Sequence, residues 1–463
     1  MKIWEDEDTI IALSTPVGRG ALAIIRLSGP NSLAGLNQIF SKRIRTTDHR
    51  RAVRGEIYSQ KDQKLIDQCV VTYYRSPNSY TGDDLMEITC HCNSIIIDQI
   101  LQEFISMGLR LAQPGEFSKR AFLNHKMDLS QAEAVASVIE AKTRQGLYHS
   151  LRQLEGVLSQ KISDIKHEII DIASLIEVSL DFNEDDIEVY DHKKLITKTE
   201  KVIQRIDSLI YTYQYGRLLN EGVKLLILGK PNVGKSSLLN VLLVQERAIV
   251  SEIPGTTRDY IEGYIQIDGI PMQIVDTAGI RDTISSIEEV GVQRSLKHME
   301  SSDIILAMFE IHKPLDQDDL RLVEYLESYR NKLPIVVVLN KLDLGCDKEN
   351  VIYVQGLGFQ TVQISAKGNQ NIDILKEKLK KELVTDSSIE QEEVVVTNSR
   401  HKTALQKTQA SLHSLINGLE EGTDEVILAT EVRSALDFIG EIAGETSSED
   451  VLNNIFSQFC VGK

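Results

Sequence analysis

Residues 229–237 read GKPNVGKSS, and the fold turns on how that stretch is read. It matches G-x-x-x-x-G-K-[ST], running from Gly229 to Gly234, Lys235 and Ser236. The apolar run VKLLILG leads into it and predicts a strand, while SLLNVLL follows and predicts a helix. Strand before and helix after is the setting a phosphate-binding loop needs. Turned backbone N–H groups and the helix N-terminus then cradle the phosphates. On this reading Asn232, Val233, Gly234, Lys235, Ser236 and Ser237 line the nucleotide. Lys235 reaches the β- and γ-phosphates as a catalytic cation, and the Ser236 hydroxyl holds Mg²⁺.

Outward from this loop, MQIVDTAG, DIILAMF, PIVVVLN and TVQISA alternate with helical stretches up to about residue 380. Short continuous apolar runs of this kind predict buried parallel strands in an α/β domain. Three of these runs lead into a motif. In NKLD, Asp343 can accept two hydrogen bonds from guanine N1–H and N2–H₂, a pair that adenine does not offer. Asn340 supports base and loop, and the Lys341 stem can lie along the ring. Ser365 and Ala366 open SAK one strand later, where a backbone N–H can meet guanine O6. In DTAG, Asp276 holds Mg²⁺ through water, with Thr277, Ala278 and Gly279 beside the γ-phosphate. Thr257 of GTTRD supplies the second Mg²⁺ hydroxyl. In this order and spacing the motifs predict a GTPase. Ile280 stands where Ras-like enzymes place a water-orienting Gln, so catalysis needs another source of charge. The Asn232 carbonyl oxygen, inside the loop, could ligate a monovalent cation that stabilises developing charge.

The rest of the chain has two other textures. Residues 1 to about 122 alternate short apolar runs (IIALSTP, ALAIIRLSG, CVVTYY, LMEITCHC) with turns, and NSIIIDQILQEFISMG predicts a helix. That is an α+β domain. In DLSQAEAVASVIEA, Ser130 and Glu133 have capping-box spacing. Leu147, Leu151, Leu154, Leu158, Ile162, Ile165 and Ile169 then predict one long amphipathic helix, followed by another up to about 215. After the polar stretch TDSSIEQEEVV, helical periodicity resumes at about 397. The expected architecture is multidomain, α+β and α/β. An α+β domain (1–122) precedes a helical domain (123–215 and 381–463) into which a Ras-like P-loop domain (216–380) is inserted.

Net charge is −17, against a protein that coats nucleic acid non-specifically. Residues 1–125 nevertheless hold 15 Lys/Arg and 14 Asp/Glu, leaving −18 for the remainder. SKRIRTTDHRRAVR (41–54) concentrates six cations against one Asp, as a solvated loop or hairpin or as a phosphate-facing patch. No apolar run reaches the roughly 18 residues of a membrane span, and the acidic start MKIWEDEDTI has no signal-peptide layout. Five cysteines suit reduced thiols, and the expected location is cytoplasmic, away from any membrane. Cys90 and Cys92 fall on one strand face and are expected in the core.

The whole chain resembles the MnmE (TrmE) family of tRNA-modification GTPases. TPVGRGALAIIRLSG, SYTGDDLMEI, PGEFSKRAFLNHKMDLSQAEAV, GKPNVGKSSLLN, IPGTTRD, DTAGIRDT and IGEIAGETSSEDVLNNIFSQFCVGK all look like that family's blocks, in its order. The resemblance implies that the α+β domain binds folate (5-formyl- or 5,10-methylene-tetrahydrofolate) and forms a homodimer. Arg26, Glu87, Lys126 and Lys463 would line the folate site. It implies hydrolysis of GTP stimulated by K⁺, with Asn232, Ser251, Ile253 and Thr256 as K⁺ ligands. Glu252, Pro254 and Gly255 belong to the same GTP-binding loop, and Glu288 matches the family's catalytic glutamate. It also implies a partner, MnmG (GidA), carrying FAD and forming a heterotetramer. Together they would install a (carboxymethyl)aminomethyl group at C5 of the wobble uridine of certain tRNAs. At 91–93 the chain reads HCN where the family has HGG. The alternatives are a ribosome-assembly GTPase that binds rRNA, without the expected RNA-binding module after residue 380, and a nucleotide-gated scaffold. The ending CVGK lacks the residues of a prenylation signal. Cys460 is therefore a candidate reactive thiol or a packing residue.

Overall fold

The computed structural model describes residues 8–16, 18–181, 191–245, 264–275, 302–384, 389, 392 and 394–463. Ile10–Leu13 (β1), Leu22–Ser28 (β2), Ala52–Tyr58 (β3), Leu65–Tyr74 (β4), Leu85–His91 (β5) and Arg110–Leu111 (β6) form a six-stranded sheet. Its order is β3-β4-β5-β2-β1-β6, antiparallel except where β6 joins β1. One face packs on Ser32–Ile39 (α1) and Ser94–Ser106 (α2) through Ile25, Leu27, Ile88, Leu36, Ile100 and Phe104. The opposite face carries Ile10, Ala12 and Leu85 under Phe117 of Glu116–Leu123 (α3). Alternation along each strand sends neighbours to these two environments. Cys90 lies buried among the first set with Cys69, and Cys92 is partly buried against it, as the pattern predicted.

The basic run 41–54 is a solvated loop that leads into a strand. Its last three residues open β3, which pairs with β4 as a hairpin. Gly55 makes that strand fit, because a Cβ there would meet the Phe40 ring at 2.3 Å. The HCN segment needs no glycine: His91 ends β5, and Asn93 is extended and caps α2 by accepting from Ile95 N–H. Its neighbour His91 is fixed to the Asp67 carboxylate at 2.7 Å.

Next come Leu129–Glu140 (α4), Arg144–Leu154 (α5), Val157–Asp181 (α6) and His192–Glu221 (α7). Two expectations are corrected here. The cap of α4 is Asp128, whose carboxylate accepts from Gln131 N–H at 2.9 Å while Gln131 returns a bond to Asp128 N–H at 3.0 Å. Ser130 and Glu133 lie inside the helix and are buried. The single long helix is two, α5 and α6, because Gly156 adopts φ +89° between them. The Gln131 side chain takes up the freed Leu154 carbonyl at 3.0 Å.

The second sheet comprises Val223–Leu228 (β7), Tyr264–Ile267 (β8), Ile270–Val275 (β9), Ile304–Glu310 (β10), Ile335–Asn340 (β11) and Gln360–Gln363 (β12). Its order is β12-β11-β10-β7-β9-β8, parallel throughout except for the edge strand β8. Lys235–Gln245 (α8) follows β7. Gln317–Tyr329 (α9), Lys348–Gly356 (α10) and Ile372–Leu383 (α11) alternate with the later strands. Burial on both faces explains the unbroken apolar runs of β10 and β11. The chain returns as Ser399–Glu421 (α12), Glu425–Ala443 (α13) and Glu449–Ser457 (α14). Facing rows of Ile162, Ile165 and Ile169 on α6 and Val432, Ala435 and Ile439 on α13 are buried where those helices pack.

The chain divides into two compact units. One is Met1–Ala136, Gln153–Ile203 and Lys407–Lys463; the other is Ser137–Arg152 and Gln204–Gln406. The second extends beyond its sheet because Tyr215, Leu218 and Leu219 of α7, and Val395, join the core of the parallel sheet. Multidomain α+β and α/β architecture is therefore observed.

Candidate functional site

The parallel sheet reverses its winding between β7 and β10, and such a switch point opens a crevice at the carboxyl ends of the strands. GKPNVGKSS occupies it. Gly229 takes φ +148°, and a Cβ would stand 2.6 Å from the Met308 carbonyl oxygen. Gly234 takes φ +106°, and a Cβ would stand 2.1 Å from Asn340 Nδ2. Asn232, at φ +64°, is of the type that tolerates the left-handed region. The loop is thus a backbone cradle that added side-chain carbon would fill. Val233 is buried beneath it, and Lys235, Ser236 and Ser237 begin α8. Lys235 Nζ donates to Gly229 O at 2.6 Å and to Lys230 O at 2.9 Å, which keeps the ammonium over the loop. Lys230 Nζ in turn reaches the Asp316 and Asp319 carboxylates at 2.5 and 2.7 Å, fastening the loop to the start of α9.

Asn340 joins three segments. Its Nδ2 donates to Val233 O at 2.8 Å, and its Oδ1 accepts from Ala366 N–H at 2.9 Å. The residue is 2% exposed, so both bonds are made in a dry environment. Ser365 Oγ donates to Asp343 Oδ1 at 2.5 Å, and that bond holds the Asp343 carboxyl below the usual carboxylate range. Gly368 N–H donates to the same Ser365 oxygen at 2.9 Å. Lys341, at φ +69°, pairs its ammonium with the Glu310 carboxylate, which fixes its stem beside the NKLD loop. Phosphate loop, NKLD and SAK therefore meet in one place. Ser251, Glu252, Ile253, Pro254, Gly255, Thr256, Thr257, Asp276, Thr277, Ala278, Gly279, Ile280 and Glu288 lie outside the described residues.

A second polar cluster sits on the first sheet. Arg26 and Glu87 are direct register partners on β2 and β5, and their side chains pair at 2.8 Å. Tyr74 Oη donates to the other Glu87 oxygen at 3.4 Å. Burial and the adjacent Glu87 carboxylate push the Tyr74 phenol up. The Arg26 guanidinium lies over the Tyr80 ring, 5.6 Å from its centre, and the Tyr80 hydroxyl meets Ser118 Oγ at 2.8 Å. Lys126 Nζ donates to Pro77 O at 2.9 Å, bracing the loop that carries Tyr80.

The end of the chain reaches the same place. Phe117 N–H donates to Lys463 O at 3.2 Å, Ser14 Oγ to Gly462 O at 3.2 Å, and Gly115 N–H to Cys460 O at 3.4 Å. Phe456 and Phe459 anchor α14 and the tail against Leu129, Ala132 and Phe122. Partial burial and nearby Arg26 push the Lys463 ammonium down. Arg26, Glu87 and Lys463 thus share one locality, and Lys126 braces its rim. The Cys460 side chain is exposed, and its backbone makes the docking contacts. Sequence reading missed Tyr74 and Tyr80; strand periodicity puts Tyr74 on the face of Thr72, the register partner of Glu87.

Two family descriptions match the chain: "GTP-binding protein TrmE N-terminus" over residues 9–126 and "MnmE helical domain" over 129–460. The tRNA modification GTPase MnmE of Carboxydothermus hydrogenoformans is 40% identical over 463 residues, covering 99% of this chain and all of that one. This chain belongs to the MnmE family. The MnmE of Clostridioides difficile is also 40% identical, covering 99% of both chains. The FeoB G-domain of Methanococcus jannaschii aligns with 35% of this chain and 98% of its own at 24% identity, with a TM-score of 0.26. Among the described residues no helix is long and apolar enough to cross a membrane.

Proposed function

We propose that this MnmE-family chain is a GTP hydrolase that acts in tRNA modification. The observation that carries the reading is the pair of hydrogen bonds made by Asn340, donating to Val233 O on the phosphate side and accepting from Ala366 N–H on the base side. Asp343, oriented by Ser365, presents its carboxylate to the two guanine donors. Bound adenine would leave that carboxylate without its two base donors, a loss of about 1–3 kcal/mol or more, and is rejected. The backbone of residues 229–236 receives the phosphates, where positive φ at Gly229 and Gly234 removes side-chain carbon from the cradle. Lys235 balances charge on the transferred phosphoryl group. Ser236 and Thr257 are the hydroxyls suited to Mg²⁺, which supplies further charge neutralisation when bound. Asn232, Ser251, Ile253 and Thr256 would hold K⁺, which serves as an arginine finger does. Glu288 would orient the attacking water. Asp343→Asn should weaken GTP binding by about 10- to 100-fold and favour xanthosine triphosphate. Unchanged GTP preference would refute the base assignment.

For the first unit we infer a folate site at Arg26, Glu87, Lys126 and Lys463. The Glu87 carboxylate paired with Arg26 and Tyr74, with Lys463 close to Arg26, supports it: Glu87 suits the pterin N–H donors, and Arg or Lys suits the glutamate tail. Bound folate would supply a one-carbon unit. The wider proposal is that the chain, as a homodimer with the FAD-carrying partner MnmG, builds the (carboxymethyl)aminomethyl group at C5 of the wobble uridine of tRNA. Its domain limits are 1–122, 123–215 with 381–463, and 216–380, and its location is the cytoplasm. Equilibrium binding of 5-formyl-tetrahydrofolate to Glu87→Ala should be lost with GTP turnover intact; undiminished binding would move the site elsewhere.

A further inference from the structure

Lys42, Arg43, Arg45, Arg50, Arg51 and Arg54 are all exposed, in a chain of net charge −17. None of the six forms an ion pair within 4 Å among the described residues; Arg54 donates instead to the neutral Gln68 at 3.1 Å. This differs from Arg110 and Arg120 in the same unit, which are matched by Asp8 and Glu116. The backbone under the cations is fixed. Ile44 is buried, Asn37 brackets it with two bonds, and Arg50 N–H donates to Tyr73 O at 2.8 Å. β3 is an edge strand, and charge on an edge discourages pairing with other chains. One or two charges of either sign meet that need. Six of one sign repel each other, and they gain most from a polyanion whose counterions they displace.

The location narrows the partner. Arg50 N–H bonds the carbonyl of Tyr73, whose neighbour Tyr74 donates to the Glu87 carboxylate. The basic edge therefore borders the cluster assigned above to folate. An anionic membrane surface is the other phosphate-rich partner, but membrane binding draws on apolar side chains beside the cations. No large exposed hydrophobic side chain occurs in residues 41–54.

We propose that this basic edge holds RNA, its phosphates lying along the cations so that a base is presented to the Glu87 cluster. The proposal rests on the tRNA-modification reading and adds the surface that meets the substrate. Lys42, Arg43 and Arg51 touch no catalytic group, so the test is full-length protein carrying Lys42→Ala, Arg43→Ala and Arg51→Ala. Binding to labelled tRNA is measured by anisotropy across a series of salt concentrations, alongside GTP turnover and binding to vesicles of anionic phospholipid. Expected are at least about a tenfold loss of affinity at low salt and a log–log salt slope shallower by about 3, with GTP turnover unchanged. Unchanged affinity and slope in the variant overturn the surface while leaving the tRNA reading intact. Vesicle binding lost with tRNA binding unaltered overturns it in favour of a membrane. Wild-type protein that fails to bind tRNA at any salt overturns the tRNA reading itself. If the triple variant loses GTP turnover, the three single variants decide, each expected to lower the slope by about 1.

Discussion

Asp343, Asn340 and Gly234 show how much of a site single residues can decide. A Cβ on Gly234 would need both a left-handed backbone and the space held by Asn340 Nδ2, 2.1 Å away. Gly234→Ala should therefore lower GTP affinity by about tenfold or more, read by equilibrium titration, since a strained position costs on the order of 1–3 kcal/mol. Full affinity would mean that Asn340 moves without consequence. The motifs around these residues were legible in the sequence because each is local: Gly229 to Ser236 lie within one turn of chain. The bond of Asn340 to Val233 O was not, since it spans 107 positions. Thiols make a second residue-scale test. Burial pushes Cys69 up to about 12 and Cys90 up to about 11, whereas Cys346 and Cys460 are exposed. At about pH 8, a thiol reagent should label Cys346 and Cys460 in native protein and reach Cys69 and Cys90 only after denaturation. Because both folded values are raised, the two thiols favour folding below the unfolded value of about 8.5, and that support fades as pH rises towards about 11–12. Urea midpoints of the first unit should fall over that window; a flat profile would mean that neither thiol is held protonated by burial.

At the scale of elements, the strands were readable wherever both neighbours in the sheet are present. The two-sided burial of β10 and β11 wrote continuous apolar runs into the sequence. β3 was obscured because its opening residues belong to the charged run, and its pairing with β4 shows the strand. The α4 cap was misread because two capping patterns overlap, Asp128 with Gln131 and Ser130 with Glu133; burial of the second pair decides between them. The break at Gly156 was missed because the leucine spacing continues across it while the backbone reverses sign. The tail tests an element directly. Gly462 takes φ +89°, and a Cβ would come 2.5 Å from Leu13 O. Gly462→Ala should displace Lys463 and weaken 5-formyl-tetrahydrofolate binding about tenfold, with GTP turnover intact. Cys460→Ser should leave folate binding unchanged, since the residue's docking contacts are backbone. Loss of modification in Cys460→Ser protein with GTP turnover intact would assign the thiol chemistry.

Across the whole molecule, two units each present a polar site, one built for phosphates and guanine and one around Arg26 and Glu87. Ile280 cannot orient water as the glutamine of Ras-like enzymes does, so that role is proposed for Glu288, and the charge of an arginine finger for a cation at Asn232. GTP turnover should rise at least about tenfold when K⁺ replaces Na⁺, and equal rates in the two salts would remove the cation from the mechanism. The Arg26–Glu87 pairing was legible only as family resemblance, because strand register, not spacing along the chain, brings residues 61 positions apart into contact. The most direct test of the central claim is nucleoside analysis of tRNA from a strain lacking this chain. Loss of the (carboxymethyl)aminomethyl group at C5 of the wobble uridine is expected, with restoration by the wild-type chain. Wobble uridine with its full modification in that strain would contradict the claim.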